Sequence, residues 1–427
     1  MEIIFWICAI CVVCIIAVVI FYKPYLGVVL VIVFIPFEGI IDFGYISIYP
    51  LELILPIFIL VFIYKNIVER HNCFGNIKLV YCCIPFVLCI MLSVIKSIEL
   101  SLTGKEIVRW LELFTIYYLT INLINDEKKM RIILYSIFLT VTMVSVLGII
   151  DHIRMEQRAI SLFGNPNPLA GYVNLIIPVL FGMLMISEAL WERTTLVIIT
   201  MLSLAVLYFT HSKVAWLSLI LTMSLLFFRV IFKKKVLLFL MIFSVILAFA
   251  FLIPDIRDRF IDKARLQDLN YTLKYRATCY TIGYGMLKDN SILGVGIGNA
   301  PLLIKKFVDS GPLLIKKFVE GGPAMMQTHL HSLYLQILVE TGLMGLCAFV
   351  FWLACVIKYL VSSLKALEKH ENYRLFVGLA GGVIIFLFNN LTDVLVVHGI
   401  HLQWGIILGL AVVLTQFREA ETCPKTV

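Results

Sequence analysis

The feature that most constrains the fold is a series of apolar runs, each about 20 residues long, that recur along almost the whole chain. A helix rises 1.5 Å per residue, so a run of about 20 residues crosses a hydrocarbon layer of roughly 30 Å. Hydrophobic residues make up 61% of the chain and charged residues only 15%, which excludes an ordinary soluble domain. The sequence therefore predicts an all-α integral membrane protein.

Hydropathy predicts a bundle of about 12 to 13 transmembrane helices. The predicted spans lie near residues 3–22, 25–40, 49–65, 78–96, 106–124, 130–150, 168–187, 194–210, 213–232, 235–253, 333–362, 374–393 and 399–416. The count varies by one because the second run is short and contains Pro36. We interpret the first run as a retained span, since no small-residue cleavage site precedes a soluble domain.

Lysine and arginine residues cluster on alternate short connections, as cytoplasmic loops do. The clusters are Lys65 with Arg70, then Lys128, Lys129 and Arg131, then Lys233, Lys234 and Lys235, then Lys358, Lys365, Lys369 and Arg374. This pattern predicts a cytoplasmic C-terminus and one long, partly helical external loop. We expect three parts: an N-terminal transmembrane bundle (1–253), an external catalytic loop (254–332), and C-terminal transmembrane helices with a short cytoplasmic tail (333–427).

The formal net charge of +8 does not indicate nucleic-acid binding, because the charges lie mainly at span ends and in one loop. Within the fifth span, Arg109 and Glu112 are spaced i, i+3 and are expected to pair. The cysteines lie mostly in apolar runs or cytoplasmic stretches, and Cys8, Cys11 and Cys14 share a span with no polar partner. We therefore predict no disulfide framework, no metal site and no cofactor.

The external loop contains a tandem repeat of 11 residues at 301–322, PLLIKKFVDSG followed by PLLIKKFVEGG. Each copy opens on proline, closes on glycine and spaces leucine and phenylalanine i, i+4, which predicts a short amphipathic helix. Its lysine pairs would lie at headgroup level or bind phosphate. Because a surface loop absorbs insertions at little cost, we interpret the second copy as a duplication and expect the chemistry in the flanks.

The flanks of the repeat are rich in polar and glycine residues: YRATCYTIGYGMLKDNSILGVGIGNAP upstream and THLHSLYLQILVETGLMG downstream. The upstream flank predicts a helix that begins near Arg276 and ends in GVGIGN, whose glycines adopt conformations closed to other residues. No βαβ unit surrounds GVGIGN, so it is not a dinucleotide fingerprint. Downstream, His331 precedes a span by about one turn and is a candidate proton acceptor or, alternatively, a polar cap at the interface.

The order of these motifs resembles the O-antigen ligase and polymerase family of bacterial membrane glycosyltransferases. The resemblance extends upstream to RAISLFGNPNPLAGYV and to THSKVAWL. It implies a metal-independent transferase in the bacterial cytoplasmic membrane that takes a glycan from a polyprenyl pyrophosphate carrier on the outer face. Its partners would be this carrier-linked donor, a glycan or lipid-linked glycan acceptor, and membrane lipids.

Carried over by motif, Arg276 would bind the pyrophosphate and His331 would be the catalytic base. Lys213 stands where the family has an arginine; it keeps the charge but loses the bidentate fork. Arg158 would share the binding of pyrophosphate, and Asn167 and His329 are candidates for substrate binding. Direct displacement would invert the anomeric centre.

Three interpretations compete. Within the enzyme interpretation, ligase and polymerase are both open, and polymerase is preferred because it needs no specialised lipid A acceptor. A transporter or flippase of lipid-linked sugars also has many spans, but transporters tend to show repeated halves and polar residues at the midplane. The sequence shows no such repeat and concentrates polar residues near one face. An inactive scaffold for envelope assembly is the third interpretation.

Overall fold

The computed structural model describes residues 14–37, 41–42, 47–48, 50–69, 78–231, 263–288, 290–310 and 329–422. Its α-helices within these ranges are α1 (14–22), α2 (Tyr25–Phe34), α3 (Pro50–Glu69), α4 (Lys78–Ser93), α5 (Leu100–Leu123), α6 (Glu127–Met155), α7 (Pro166–Leu184), α8 (Leu190–Phe209), α9 (Lys213–Ile231), α10 (Lys263–Leu287), α11 (Ala300–Ser310), α12 (Leu333–Ala366), α13 (Tyr373–Asn389) and α14 (Ile400–Thr422). Short 3₁₀ turns occur at Val94–Lys96 and Ser161–Phe163, and two-residue strands, β1 (Ile41–Asp42) and β2 (Ser47–Ile48), pair antiparallel.

Seven helices in the described part of the chain are long and apolar enough to cross a membrane: α3, α4, α6, α7, α8, α12 and α14. The shorter α2, α9 and α13 are also apolar. The predicted all-α membrane class is therefore confirmed. Helix α5, predicted as a span from 106 to 124, is not among the seven because it carries several charged side chains. The predicted span 235–253 and the second repeat copy lie outside the described residues.

Among the described helices, α7 and α13 pack most extensively against each other, because small residues let their backbones approach closely. A Cβ atom added at Gly378 would lie 2.5 Å from the carbonyl oxygen of Pro178, and one at Gly382 would lie 2.6 Å from that of Leu175. This contact fixes the beginning of α7 beside the end of α13. The residues at those two ends are therefore held in a defined geometry.

Helix α12 is kinked at Gly342, where φ is 68° and ψ is −170°. The kink frees backbone groups that the glycine-rich loop then uses. The amide of Val295 donates to the carbonyl of Val339 at 2.9 Å, and the amide of Gly296 donates to the carbonyl of Glu340 at 3.0 Å. Leu343 N in turn donates to the carbonyl of Ser291 at 2.8 Å. The GVGIGN motif is thus a docking element that joins the loop to α12.

Asn299 ties the same loop to the connection between α4 and α5. Its fully buried side chain accepts from the amides of Ile98 and Glu99 through Oδ1, at 3.3 and 2.9 Å. Its Nδ2 donates to Thr103 Oγ1 at 2.8 Å and to its near neighbour Ile297 O at 3.0 Å. The loop is therefore anchored on both sides, which positions α10 before it and α11 after it.

The first copy of the repeat forms α11, as predicted. Ile304 is buried and Leu303 partly buried in a small cluster with residues of α10, and Lys306 is exposed. The leucine of the predicted leucine and phenylalanine face, Leu303, is only partly buried, whereas Ala300 and Ile304 are buried. The helix packs on α10, so it is part of the framework that holds the region together.

Candidate functional site

A small cleft opens at one end of the bundle, where α7 and α9 begin and α13 ends. Its lining residues are Asn167, Gly171, Ser212, Val214, Ala215, Arg276, Asn389, Thr392, Asp393 and Leu395. Two of the residues predicted from the sequence, Arg276 and Asn167, lie in this lining. They reach it from α10 and from the first turn of α7, so the cleft joins parts of the chain that are distant in sequence.

His331 lies beside this cleft through its contact with Asp393. The distance from His331 Nδ1 to Asp393 Oδ1 is 3.8 Å, and both side chains are about one-fifth exposed, at 21% and 22%. Backbone hydrogen bonds join the start of α12 to the loop after α13, since Leu333 N donates to the carbonyls of Asn390 and Asp393 at 3.0 Å each. Tyr280 O–H, on the same helix as Arg276, donates to the carbonyl of His331 at 3.4 Å.

The backbone of His331 adopts an uncommon conformation. Its φ is +49°, in the left-handed region that few non-glycine residues enter. Such conformations cost free energy and persist only where the surroundings determine them, and they cluster at functional sites. The hydrogen bonds on either side of His331 are the surroundings that hold it here.

Burial sets the protonation of the two histidines in this segment. Desolvation lowers the pKa of His331; the carboxylate of Asp393 acts in the opposite direction and the charge of Arg276 lowers the pKa further. Desolvation also lowers the pKa of His329 to about 4, again partly offset by Asp393. Both imidazoles are therefore neutral near pH 7. His331 is thus able to accept a proton, and Asp393 would stabilise the resulting imidazolium.

Arg158 lies at the rim of the cleft. Its Nε donates to the carbonyl of Thr210 at 2.7 Å, and one terminal nitrogen donates to Asn167 Oδ1 at 3.3 Å. The charge of Asp393 also acts on Arg158. Lys213 is the first residue of α9 and has an exposed side chain, while its neighbours Ser212 and Val214 line the cleft.

His329, predicted to bind substrate, is not among the residues that line the cleft. It lies within electrostatic range of Asp393, His331 and Arg109, and its Nδ1 is buried. The structure therefore groups Arg158, Asn167, Lys213, Arg276 and His331 at the cleft or its rim and sets His329 behind them.

The predicted pair of Arg109 with Glu112 is wrong. Arg109 binds Glu106 instead, with an N–O distance of 2.6 Å, and Glu112 Oε2 lies 3.5 Å from His401 Nε2. On a helix, an acidic residue that precedes its basic partner is favoured over one that follows it, and Glu106 precedes Arg109. The buried histidine of α14 decides the outcome, because it takes Glu112 as its own partner.

Besides Ser212, three polar residues of the cleft were missed: Asn389, Thr392 and Asp393. The available signal was the polar run NNLTD, which interrupts the end of the apolar span predicted at 374–393. Asp393 Oδ1 also accepts the amide of Val394 at 2.8 Å, which fixes the carboxylate. Within the described residues, no group of three or more His, Cys, Asp or Glu side chains has the arrangement to hold a metal ion.

Residues 198–350 of the chain match the family model described as O-antigen ligase. The matched range includes α9, α10, α11 and the start of α12, and so contains Lys213, Arg276 and His331. The match supports assignment to the O-antigen ligase and polymerase family, and it confirms the resemblance seen in the sequence. No curated protein matches the chain.

Proposed function

We propose that this O-antigen ligase-type chain is a membrane glycosyltransferase that transfers or polymerises a glycan carried on polyprenyl pyrophosphate. The observation that carries the proposal is the meeting of a cation, Arg276, with the His331–Asp393 pair at one cleft. A transferase of this kind requires positive charge for its leaving group and a base for its acceptor. The cleft supplies both within one end of the bundle.

The leaving group is the first requirement. As the bond between the anomeric carbon and the phosphate oxygen breaks, the electron pair moves to that oxygen and negative charge grows on the pyrophosphate. A cation fixed beside the oxygen lowers the barrier. Arg276 lines the cleft, and Arg158 and Lys213 lie at its rim, so these three side chains would bind the pyrophosphate.

The acceptor is the second requirement. Its hydroxyl oxygen forms the new bond to the anomeric carbon, and its proton passes to the neutral imidazole of His331. The Asp393 carboxylate, 3.8 Å away, stabilises the imidazolium that results. A single displacement of this kind inverts the anomeric centre and uses protein side chains alone, without a metal. Asn167 would hydrogen-bond the substrate from the first turn of α7.

The acceptor would be a second carrier-linked glycan, which presents its terminal sugar at the membrane surface. The bundle end and its cleft would lie there, on the outer face of the bacterial cytoplasmic membrane. We prefer polymerisation to ligation because polymerisation needs no specialised lipid A acceptor. The long loop would then be external and the C-terminus cytoplasmic, in line with the positive residues on the opposite connections.

The test is turnover of a polyprenyl-pyrophosphate-linked oligosaccharide by the purified protein in detergent. We expect longer carrier-linked glycans from the parent and a loss of about 100-fold or more in rate for Arg276→Ala and for His331→Ala. Matched controls are Arg193→Ala and His370→Ala, because these residues lie at the other end of the bundle, at the start of α8 and between α12 and α13.

Both controls should keep the parent's rate. A folded parent that makes no product with any acceptor would overturn the proposal. Assays of lipid-linked sugar flipping in liposomes would then test the transporter interpretation.

A further inference from the structure

Asn389, the last residue of α13, uses the two ends of its side-chain amide differently. The side chain is only 4% exposed and lines the cleft. Its Oδ1 accepts from Ser218 Oγ at 2.7 Å. Its Nδ2 is buried and has no hydrogen-bond partner within the described part of the chain. Buried donors are usually paired in proteins, and because Asn389 lines the cleft, a ligand bound there can pair this one.

The side chain of Asn389 is part of a buried polar chain across three helices. Asn174 of α7 donates through Nδ2 to Ser218 Oγ of α9 and to the carbonyl of Ala215, both at 2.9 Å. The Ser218 hydroxyl in turn shares its proton between Asn389 Oδ1 at 2.7 Å and the carbonyl of Ala215 at 2.9 Å. With Oδ1 engaged in this way, Nδ2 is the end of the amide left for the cleft.

The groups around Asn389 favour an anion. Helices α7 and α9 both begin at the cleft, with Asn167 and Ser212 in the lining, and a helix N-terminus carries partial positive charge. Arg276 adds a full positive charge. Among the described residues of the lining, Asp393 is the one carboxylate. Its Oδ1 accepts from Val394 N and lies 3.8 Å from His331 Nδ1, so this carboxylate already has partners within the protein.

The depth of Asn389 indicates which anion it would meet. It belongs to the last turn of α13, whereas Asp393 belongs to the loop that follows, so Asn389 lies further into the bundle. In a lipid-linked sugar, the diphosphate is the polar group nearest the hydrocarbon tail. We infer that Asn389 Nδ2 donates a hydrogen bond to an oxygen of the substrate diphosphate. Ser218 and Asn174 are positioning residues for Asn389. This inference rests on the proposed function. It adds to the binding site of the glycan donor the contact that lies deepest in the bundle.

The test is direct binding of polyprenyl pyrophosphate without sugar to the purified protein in detergent, which needs no transfer. A hydrogen bond to a charged group is lost in Asn389→Ala, so we expect Kd to rise about 10-fold or more. Asn389→Asp has nearly the same shape and still accepts from Ser218, but it faces the diphosphate with a negative charge. Its Kd should rise further. Ser218→Ala should raise Kd less, because only the orientation of the amide is relaxed.

The control is Asn122→Ala, at the end of α5 that is remote from the glycine-rich loop. The Asn122 side-chain amide donates to the carbonyl of Tyr118 at 2.8 Å. It should leave Kd unchanged. Equal Kd values for the parent and both Asn389 variants, each with the parent's unfolding temperature, would overturn the inference, as would a parent that does not bind the diphosphate.

The inference and the proposed function fail separately. A parent that transfers glycan while the Asn389 variants bind normally keeps the function and loses the inference. A parent that binds the diphosphate through Asn389 but never transfers a glycan keeps the inference and loses the proposed function. In the transfer assay, Asn389→Ala should raise KM for the donor more than it lowers kcat, whereas a merely structural role would lower the amount of folded enzyme.

Discussion

Gly342→Ala should destabilise the protein because this glycine makes the kink to which the glycine-rich loop binds. Its φ of 68° and ψ of −170° suit glycine, and a side chain there costs about 1–3 kcal/mol. A Cβ atom would also lie 2.1 Å from the carbonyl oxygen of Ile292, so the loop must move. Four backbone hydrogen bonds join the loop to α12, including one from Met344 N to the carbonyl of Ile292, and each contributes about 1 kcal/mol. We expect a loss of about 3–5 kcal/mol in the free energy of unfolding.

The assay measures unfolding of the purified protein in detergent as temperature or denaturant concentration is raised. The control is Gly104→Ala, because a Cβ at this position of α5 meets nothing within 4 Å. Alanine is the better helix former, so the control should be neutral or stabilising by up to about 1 kcal/mol. If Gly342→Ala has the same free energy of unfolding as the parent, the kink does not anchor the loop as we infer. The same result would remove our explanation of the GVGIGN motif.

Two further predictions concern the cleft and the repeat. A lowered pKa of His331 means that the base is neutral above that pKa and that transfer falls as pH drops through it. Asp393→Asn should move this acidic limb to lower pH and Arg276→Gln should move it to higher pH, since their charges act on His331 in opposite directions. Shifts of the same sign in a pH–rate profile would contradict the assignment of His331 as the base. Deletion of residues 312–322 should leave most of the transfer rate, as measured with the carrier-linked oligosaccharide. Complete loss in a folded, inserted protein would contradict the duplication hypothesis.

The sequence predicts what depends on neighbours along the chain. Apolar runs are long enough to define the spans, and the described helices follow them within a few residues over most of the bundle. Proline at the start and glycine at the end of the first repeat copy predicted α11 correctly. The glycines of GVGIGN were expected to need unusual conformations, and Gly294, Gly296 and Gly298 all have positive φ.

Contacts across the bundle could not be predicted in this way. Asp393 lies 62 positions after His331 in the chain, and no pattern in one sequence links the two. Their 3.8 Å approach depends on how the loop after α13 packs against the start of α12. Asn389 is likewise an ordinary polar residue at a helix end until Ser218 of α9 engages its oxygen. Arg276 and His331 were found because their motifs resemble a family, whereas their partners lie in segments without such a motif.

The two described flanks of the repeat are anchored separately, which is the physical basis of the deletion prediction. On the upstream side, Asn299 and the kink of α12 hold the loop that ends α10, and thereby the helix that carries Arg276. On the downstream side, Leu333 N binds the carbonyls of Asn390 and Asp393, and Tyr280 binds the carbonyl of His331. Each flank is fixed by its own hydrogen bonds to the bundle. The distance between the cation and the base is therefore set by the bundle, and the length of chain that joins residue 310 to residue 329 does not determine it.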